Sequence, residues 1–477
     1  MEAPLITADT LVALIPEILA LAFIAVVLLT EVFGSRSPNL SSGLAALGAL
    51  ALAGSATVLL AAGFEGSFFG DGYVVDGFAL LFKILVGLVA FFSVLAAARW
   101  SARTGDTGEY MSLILAVALG ASLLVSGRDL FVIFVSLELA TIPSYAMVAF
   151  DRRRRESSEG GMKYLLTGVV ASSVLLYGLV LIYGVTGSAN LSEVAAAFTA
   201  DLSPAALLGL VLFLSGVAFK LSVVPFHFWT PDAYQGAPTN AAAFLSVAPK
   251  MATFALLLRV LIEGMPETAQ AYTWLFALLA ILSMFAGNLF ALRQTNLKRM
   301  LAYSSVAHSG YILAAFAALT GPALETAVQA VIVYAVAYAV MNLGAFFVVE
   351  LVGEEGKSFN GLFRTQPALA VSMAVFMAAL VGIPPLSGFW GKAWVIFATA
   401  QAGAWVVVGA VIINSVLSVP YYFGVIRSMF FEEPAGVGPV KDGSGALRFS
   451  IYAMAVFTVL FAFILGPLVL LAQAIGL

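Results

Sequence analysis

Long apolar runs recur along the whole chain, separated by short polar connections. The runs lie near 11–33, 43–63, 75–99, 110–126, 129–150, 163–185, 205–229, 239–262, 271–292, 300–319, 324–352, 367–402, 403–431 and 447–475. An α-helix needs about 20 apolar residues to cross a bilayer, so this pattern predicts about fourteen membrane-crossing helices. The runs at 110–126 and 129–150 are separated only by Ser126-Gly127-Arg128-Asp129. The first run is too long for a cleaved signal and lacks a basic segment before it, so it reads as a retained helix. The longest connections, near 186–204, 353–366 and 432–446, are polar loops rather than domains. The expected fold is therefore an all-α integral membrane protein with a single polytopic domain over 1–477. It divides into N-terminal helices (11–99), a first unit (110–262), a second unit (271–431) and a C-terminal helix (447–475).

Two runs are interrupted. The seventh passes through Lys220-Leu-Ser-Val-Val-Pro225-Phe-His227-Phe-Trp229-Thr-Pro231-Asp232, and the twelfth through Gly382-Ile-Pro384-Pro385-Leu-Ser-Gly388-Phe-Trp-Gly391-Lys392. Proline removes a helix donor and clashes with the preceding turn. At membrane depth the freed backbone is tolerated only against protein or a water-filled cavity. Broken helices five segments apart are what an inverted repeat produces, with segments 4–8 matching 9–13. The match is imperfect, because Lys220 precedes its proline whereas Lys392 follows its pair.

Composition excludes a soluble domain. Hydrophobic residues make up 62% and charged residues only 10%, and the mean hydropathy is +1.04, too little charge to keep a surface hydrated. Against that background, Lys220, Lys250, Lys392 and Glu138 fall inside apolar runs. A charge at the bilayer centre costs roughly 3 kcal/mol on insertion scales. Each alone has a purely structural reading: Glu138 is a buried acid paired for packing, with Lys220 its static partner, since paired burial often breaks even. Together they suggest a buried route for protons, because both residue types gain and lose one. Burial pushes a lysine toward neutrality and a nearby carboxylate reverses this, so moving or protonating the carboxylate releases a proton. Lys83 is the weakest member; it lies early in the third run and is placed to snorkel or to pair with Asp76.

There is no cysteine, which excludes thiolate-bound iron–sulfur clusters and disulfides. The only histidines, His227 and His308, lie in polar motif segments, which argues against haem ligation. No dinucleotide fingerprint or P-loop is present. Any redox or nucleotide chemistry associated with this chain therefore needs a cofactor on another chain.

The segments around 205–250 and 293–311 carry long, specific strings. They are Lys220; Pro225-Phe-His227-Phe-Trp229-Thr-Pro231-Asp232-Ala-Tyr234-Gln-Gly-Ala-Pro238-Thr; Lys250; Asn296-Leu-Lys298-Arg299-Met-Leu-Ala-Tyr303-Ser304-Ser305-Val-Ala-His308-Ser-Gly310-Tyr311; and Gly382-Ile-Pro384-Pro385 through Lys392. With them the chain resembles, over nearly its whole length, the antiporter-like membrane subunits of the proton-translocating NADH–quinone oxidoreductase, respiratory complex I. Within that family it is similar to the N type rather than to the larger L and M types. The resemblance implies a proton relay of Glu138, Lys220, Lys250 and Lys392, with His227 and His308 assisting water chains between them. It implies no cofactor or metal in this chain, with NADH, FMN, iron–sulfur clusters and quinone held by partner subunits. The implied partners are the other membrane and hydrophilic subunits, including other antiporter-like ones, and the lipid bilayer, with no nucleic acid. The implied location is the bacterial inner membrane. The alternative is a free-standing or Mrp-type sodium/proton antiporter subunit, which shares the broken-helix motifs.

Sixteen of the 22 Lys and Arg lie in odd-numbered loops, including Arg36, Arg152 to Arg155, Lys298 and Lys441, and only Arg128 and Arg259 fall in even-numbered ones. By the positive-inside rule the odd loops are cytoplasmic and both termini face the periplasm. A cysteine introduced at Ser157, on this cysteine-free background, is expected to resist an impermeant thiol reagent in intact cells. Labelling there would reverse the topology.

Overall fold

A computed structural model of the chain describes residues 7–34, 37–200, 203–265, 269–434 and 445–474. Arg36 and Lys441, counted in the topology argument, lie outside them. The first helices are α1 (Ala8–Ala13), α2 (Ile15–Phe33), α3 (Pro38–Ala61), α4 (Gly77–Thr104) and α5 (Thr107–Val125). They are followed by α6 (Leu130–Val148), α7 (Arg155–Thr186), α8 (Leu191–Ala200), α9 (Pro204–Lys220), α10 (Trp229–Gly236), α11 (Thr239–Leu245) and α12 (Ala248–Gly264). The second half contains α13 (Ala269–Ala291), α14 (Leu297–Ala314), α15 (Leu324–Val352), α16 (Leu362–Thr365), α17 (Pro367–Val381), α18 (Ser387–Gln401), α19 (Trp405–Phe431) and α20 (Gly445–Ala474).

The fold is all-helical, as the apolar periodicity predicts, with one small exception. Strands β1 (Gly66–Phe68) and β2 (Tyr73–Val75) form an antiparallel hairpin between α3 and α4. Val74 N–H donates to the Ser126 carbonyl at 2.8 Å, which fastens the hairpin to the α5–α6 turn. Eleven helical stretches among the described residues are long and apolar enough to cross a membrane; Pro204–Lys220 and Pro367–Val381 are apolar but shorter. Those two are the upstream halves of the interrupted seventh and twelfth runs. The helix at 155–186 begins well before the apolar run at 163, because its first turns are polar and solvent-facing. Ser157 itself is buried, with its hydroxyl on the Val148 carbonyl. The exposed Ser158 is therefore the better cysteine position for the topology test.

The core sits where α11, α12 and α15 run through the middle of the bundle, almost wholly buried, while α20 and α2 leave most of their surface outside. Close approach relies on glycine where α7 crosses α9: a Cβ on Gly178 would lie 2.5 Å from the Phe213 nitrogen.

Both helix interruptions are held from within the protein. After α9 the chain turns through Ser222, with φ of +59°. The Val224 amide donates to Ser283 Oγ at 3.0 Å, Trp229 Nε1 donates to the Phe219 carbonyl at 3.1 Å, and Thr230 Oγ1 donates to Ser222 Oγ at 2.7 Å. After α17 the turn is made by Gly382, with φ of +94°, a conformation that glycine adopts without steric cost. The Pro385 carbonyl accepts from Trp390 Nε1 at 3.0 Å.

A third interruption has no counterpart in the sequence reading, which gives 239–262 as continuous. The helix stops at Leu245 and resumes at Ala248. Pro249 explains it, since its ring opposes the carbonyl four residues earlier, on Leu245. Lys250 thus lies in the first turn after a break.

Candidate functional site

Glu138 on α6 and Lys220 at the end of α9 form an ion pair, Nζ to Oε1 3.3 Å. Lys220 also donates to Thr141 Oγ1 at 2.9 Å and to Ser172 Oγ at 3.2 Å, and Ser172 Oγ donates to Glu138 Oε1 at 2.6 Å. Glu138 and Thr141 are three residues apart, so one face of α6 supplies both. The lysine side chain is 6% exposed and the carboxylate 21%. At this distance, attraction is on the order of 5 kcal/mol for an effective dielectric constant of about 20. Desolvation costs several kcal/mol per ion. Attraction and desolvation oppose each other, so the pair by itself adds little to stability.

Between Lys220 and the start of α12 lies a cavity of about 20 Å³, lined by Thr141, Ser144, Tyr164, Lys220, Pro249 and Thr253. It has room for one water, and its hydroxyls supply the polar partners that a water requires. Beyond it, Lys250 Nζ donates to Ser305 Oγ at 2.7 Å and lies 3.4 Å from Ser309 Oγ. Tyr338 donates its hydroxyl proton to Ser305 Oγ at 2.9 Å. Lys250 has no carboxylate within ion-pair distance among the described residues.

Three residues along α14 from Ser305, His308 bridges two hydroxyls, with Nδ1 3.0 Å from Tyr334 Oη and Nε2 3.2 Å from Tyr422 Oη. Its ring centroid lies 5.5 Å from that of Tyr311, and Lys392 Nζ sits 4.4 Å above the Tyr311 ring. Lys392 donates to the Leu380 and Val381 carbonyls at 3.2 and 2.7 Å. These are carbonyls at the end of α17, where the helix break removes their intrahelical donors and where the helix dipole favours a cation. Lys392 too has no carboxylate partner among the described residues.

Glu138, Lys220, Lys250, His308 and Lys392 are thus brought into one buried column. His227 is not. It is buried beside Phe228, and among the described residues its Nδ1 has no hydrogen-bond partner and it shares no hydrogen bond or ring contact with the lysines. The hydroxyl residues that carry the column, Thr141, Ser172, Ser305, Tyr334, Tyr338 and Tyr422, are absent from the sequence-based site. Their one signal is helical spacing: Tyr334 and Tyr338 are four residues apart, and Ser305 and Ser309 likewise.

Lys83 neither snorkels nor pairs with Asp76. It is fully buried and bonded to Glu17 at 2.8 Å and Tyr73 Oη at 2.6 Å, while Ser122 Oγ donates to the same carboxylate at 2.6 Å. Asp76 instead holds Arg259, at 2.9 Å. Arg259 is not a loop residue; it is fully buried within α12 and also bonds Glu263 at 2.7 Å. Arg128 joins this cluster through Glu263 and Asp71. Partial burial opposes ionisation of Asp71, but Ser67, Arg128 and Asn190 together hold its carboxyl below the usual range.

At the opposite end, Lys298 Nζ is fully buried, 2.7 Å from the Ala237 carbonyl and 3.3 Å from Glu354. Arg154 reaches Glu354 at 3.0 Å. Burial works against ionisation of Glu354, yet the charges of Lys298 and Arg154 keep its carboxyl below the ordinary range. Nearby, Asp232 pairs with Arg299 and Lys163. Among the described residues no group of three or more His, Asp or Glu is placed to hold a metal ion.

The family model for NADH:quinone oxidoreductase/Mrp antiporter transmembrane proteins matches residues 127–418. NADH-quinone oxidoreductase subunit N of Rubrobacter xylanophilus is 65% identical over 477 residues, covering 99% of each chain. The subunit of the same name from Parvibaculum lavamentivorans is 36% identical, again over 99% of both. Among solved structures, a chain of respiratory complex I from Thermus thermophilus superposes with a TM-score of 0.83 at 34% identity, covering 97% of this chain and 100% of that one. A chain of the Mrp complex from Dietzia shares the fold, with a TM-score of 0.87 over 98% of this chain and 97% of that one, at 21% identity. The chain belongs to the NADH:quinone oxidoreductase/Mrp antiporter membrane family and, within it, to the subunit N group of respiratory complex I.

Proposed function

We propose that this chain conducts protons across the bacterial inner membrane along Glu138, Lys220, Lys250 and Lys392, driven by quinone reduction in other subunits. The observation that carries this reading is the series of interior polar clusters from Glu138 to Lys392, in which the two later lysines have no carboxylate partner among the described residues. A lysine held only by neutral hydroxyls or carbonyls exchanges its proton far more readily than one locked to a carboxylate. Glu138 keeps about a fifth of its surface open, which gives a neighbouring subunit access to the first charge. A shift of Glu138 weakens the grip on Lys220, and the excess charge passes through the water-sized cavity to Lys250 and on past His308 to Lys392. His227 has no assigned part in this path.

The cofactors NADH, FMN, iron–sulfur clusters and quinone belong in this reading to partner subunits. Fourteen crossings, an inverted repeat of segments 4–8 and 9–13, and periplasmic termini complete the proposed topology; the paired breaks after α9 and α17 support the repeat. The likeness to the Mrp complex supports a second reading, sodium/proton exchange. Sodium flux in vesicles without NADH would favour it.

Lys220→Ala is expected to lower NADH-driven proton uptake at least several-fold in assembled membranes, and Lys220→Arg to restore little, because a guanidinium does not release its proton. Wild-type uptake in the alanine variant would remove Lys220 from the relay.

Glu138→Gln keeps shape and hydrogen bonding but not charge. It is expected to impair NADH–quinone turnover and proton uptake together, whereas Glu138→Asp retains much of both. A purely packing role gives the reverse order, with glutamine tolerated and the shorter aspartate worse.

A further inference from the structure

Lys298 is a fifth buried lysine, and the relay above does not use it. Its side chain is fully enclosed, yet its carboxylate partner Glu354 is 26% exposed. The pair therefore joins the polar surface around Arg154 to the interior. Lys298 also shares a stripe of α14 with the two serines that hold Lys250. Spacings of seven and eleven residues bring Ser305 and Ser309 back to the same face of a helix with 3.6 residues per turn. Ser305 lies roughly 10 Å further along the axis at about 1.5 Å per residue.

The helices packed on α14 there, α10 and α15, carry polar groups with no hydrogen-bond partner among the described residues. They are Tyr234 Oη on α10 and Asn342 Oδ1 on α15, both on buried residues. Buried polar groups are ordinarily satisfied, and ordered water is the usual partner where protein supplies none. Their placement is consistent along the path. Tyr234 is three residues from Ala237, whose carbonyl holds Lys298, and its ring centroid is 6.0 Å from Lys250 Nζ. Asn342 donates to Ser246 Oγ at 2.6 Å in the α11–α12 break, and lies one turn from Tyr338, which bonds Ser305.

We propose that Lys298 and Glu354 form the cytoplasmic loading site that supplies protons to Lys250 along this face of α14. The inference rests on the relay reading and adds its input. When Lys250 has given its proton onward, Lys298 transfers one inward through water held by Tyr234 and Asn342. With Lys298 neutral, Glu354 takes a proton from cytoplasmic water and passes it to Lys298, which restores the ion pair. One proton enters for each proton that leaves Lys250, and no residue ends in a changed state.

The test uses inside-out membranes carrying the whole complex, with proton uptake measured per NADH oxidised. Lys298→Arg keeps the ion pair with Glu354 but holds its proton, and is expected to lower uptake at least fivefold. Glu354→Gln is expected to do the same, and Glu354→Asp to retain most of it. A role confined to fastening α14 to the α15 end predicts near-native uptake in Lys298→Arg, and that result overturns the loading site. If the arginine variant does not assemble, native uptake in Glu354→Gln overturns it equally. Lys250→Met separates the two levels: normal uptake there sinks the relay itself, whereas loss there with native uptake in Lys298→Arg sinks only the input route.

Discussion

Hydrocarbon offers no hydrogen bonds, and everything polar in this protein is arranged around that fact. A broken helix at membrane depth exposes backbone groups that must be answered from within. Here the answers come from side chains placed for the purpose: Ser283 and Trp229 at the first break, Trp390 and Lys392 at the other. The same condition applies to each buried ammonium. It is met with decreasing strength along the column, by a carboxylate at Lys220, by hydroxyls at Lys250, and by carbonyls and an aromatic face at Lys392.

That gradient is what makes conduction physically reasonable. If every lysine had a carboxylate partner, each charge would be fixed and the column would be structural cement. If none had, no carboxylate would be present whose movement could disturb the column. With one pair at the entrance of the column and neutral partners beyond it, a disturbance at Glu138 has somewhere to go. The contrast with Lys83 is instructive. It is locked to Glu17 and Tyr73, in a cluster outside the column.

The charges themselves were legible in the sequence because each is costly in an apolar run and so stands out. The helix breaks at Pro225 and at Pro384-Pro385 were legible for the same kind of reason, since proline has one strong backbone consequence. The third break was missed because Pro249 lies inside an apolar run whose hydropathy never falls. For Lys83 the sequence offers snorkelling or the nearby Asp76, whereas Glu17 reaches it only through the packing of α2 against α3 and α5. Arg259 and Lys298 were counted with the loops, since run boundaries are soft at helix ends; both are fully buried. The serines and tyrosines of the column show in the sequence only as a four-residue spacing, a weak signal because hydroxyl residues in membrane helices commonly bond only their own backbone. The hairpin at 66–75 was too short to give a period.

The central claim is that Glu138 changes protonation as the enzyme turns over. Infrared difference spectroscopy on the assembled complex, triggered by NADH in the presence of quinone, reads this directly through the carbonyl stretch of a protonated carboxyl group. The account predicts a turnover-dependent carboxyl band that is lost in Glu138→Gln. A difference spectrum in that region identical between wild type and Glu138→Gln, with wild-type pumping verified in the same sample, would contradict it.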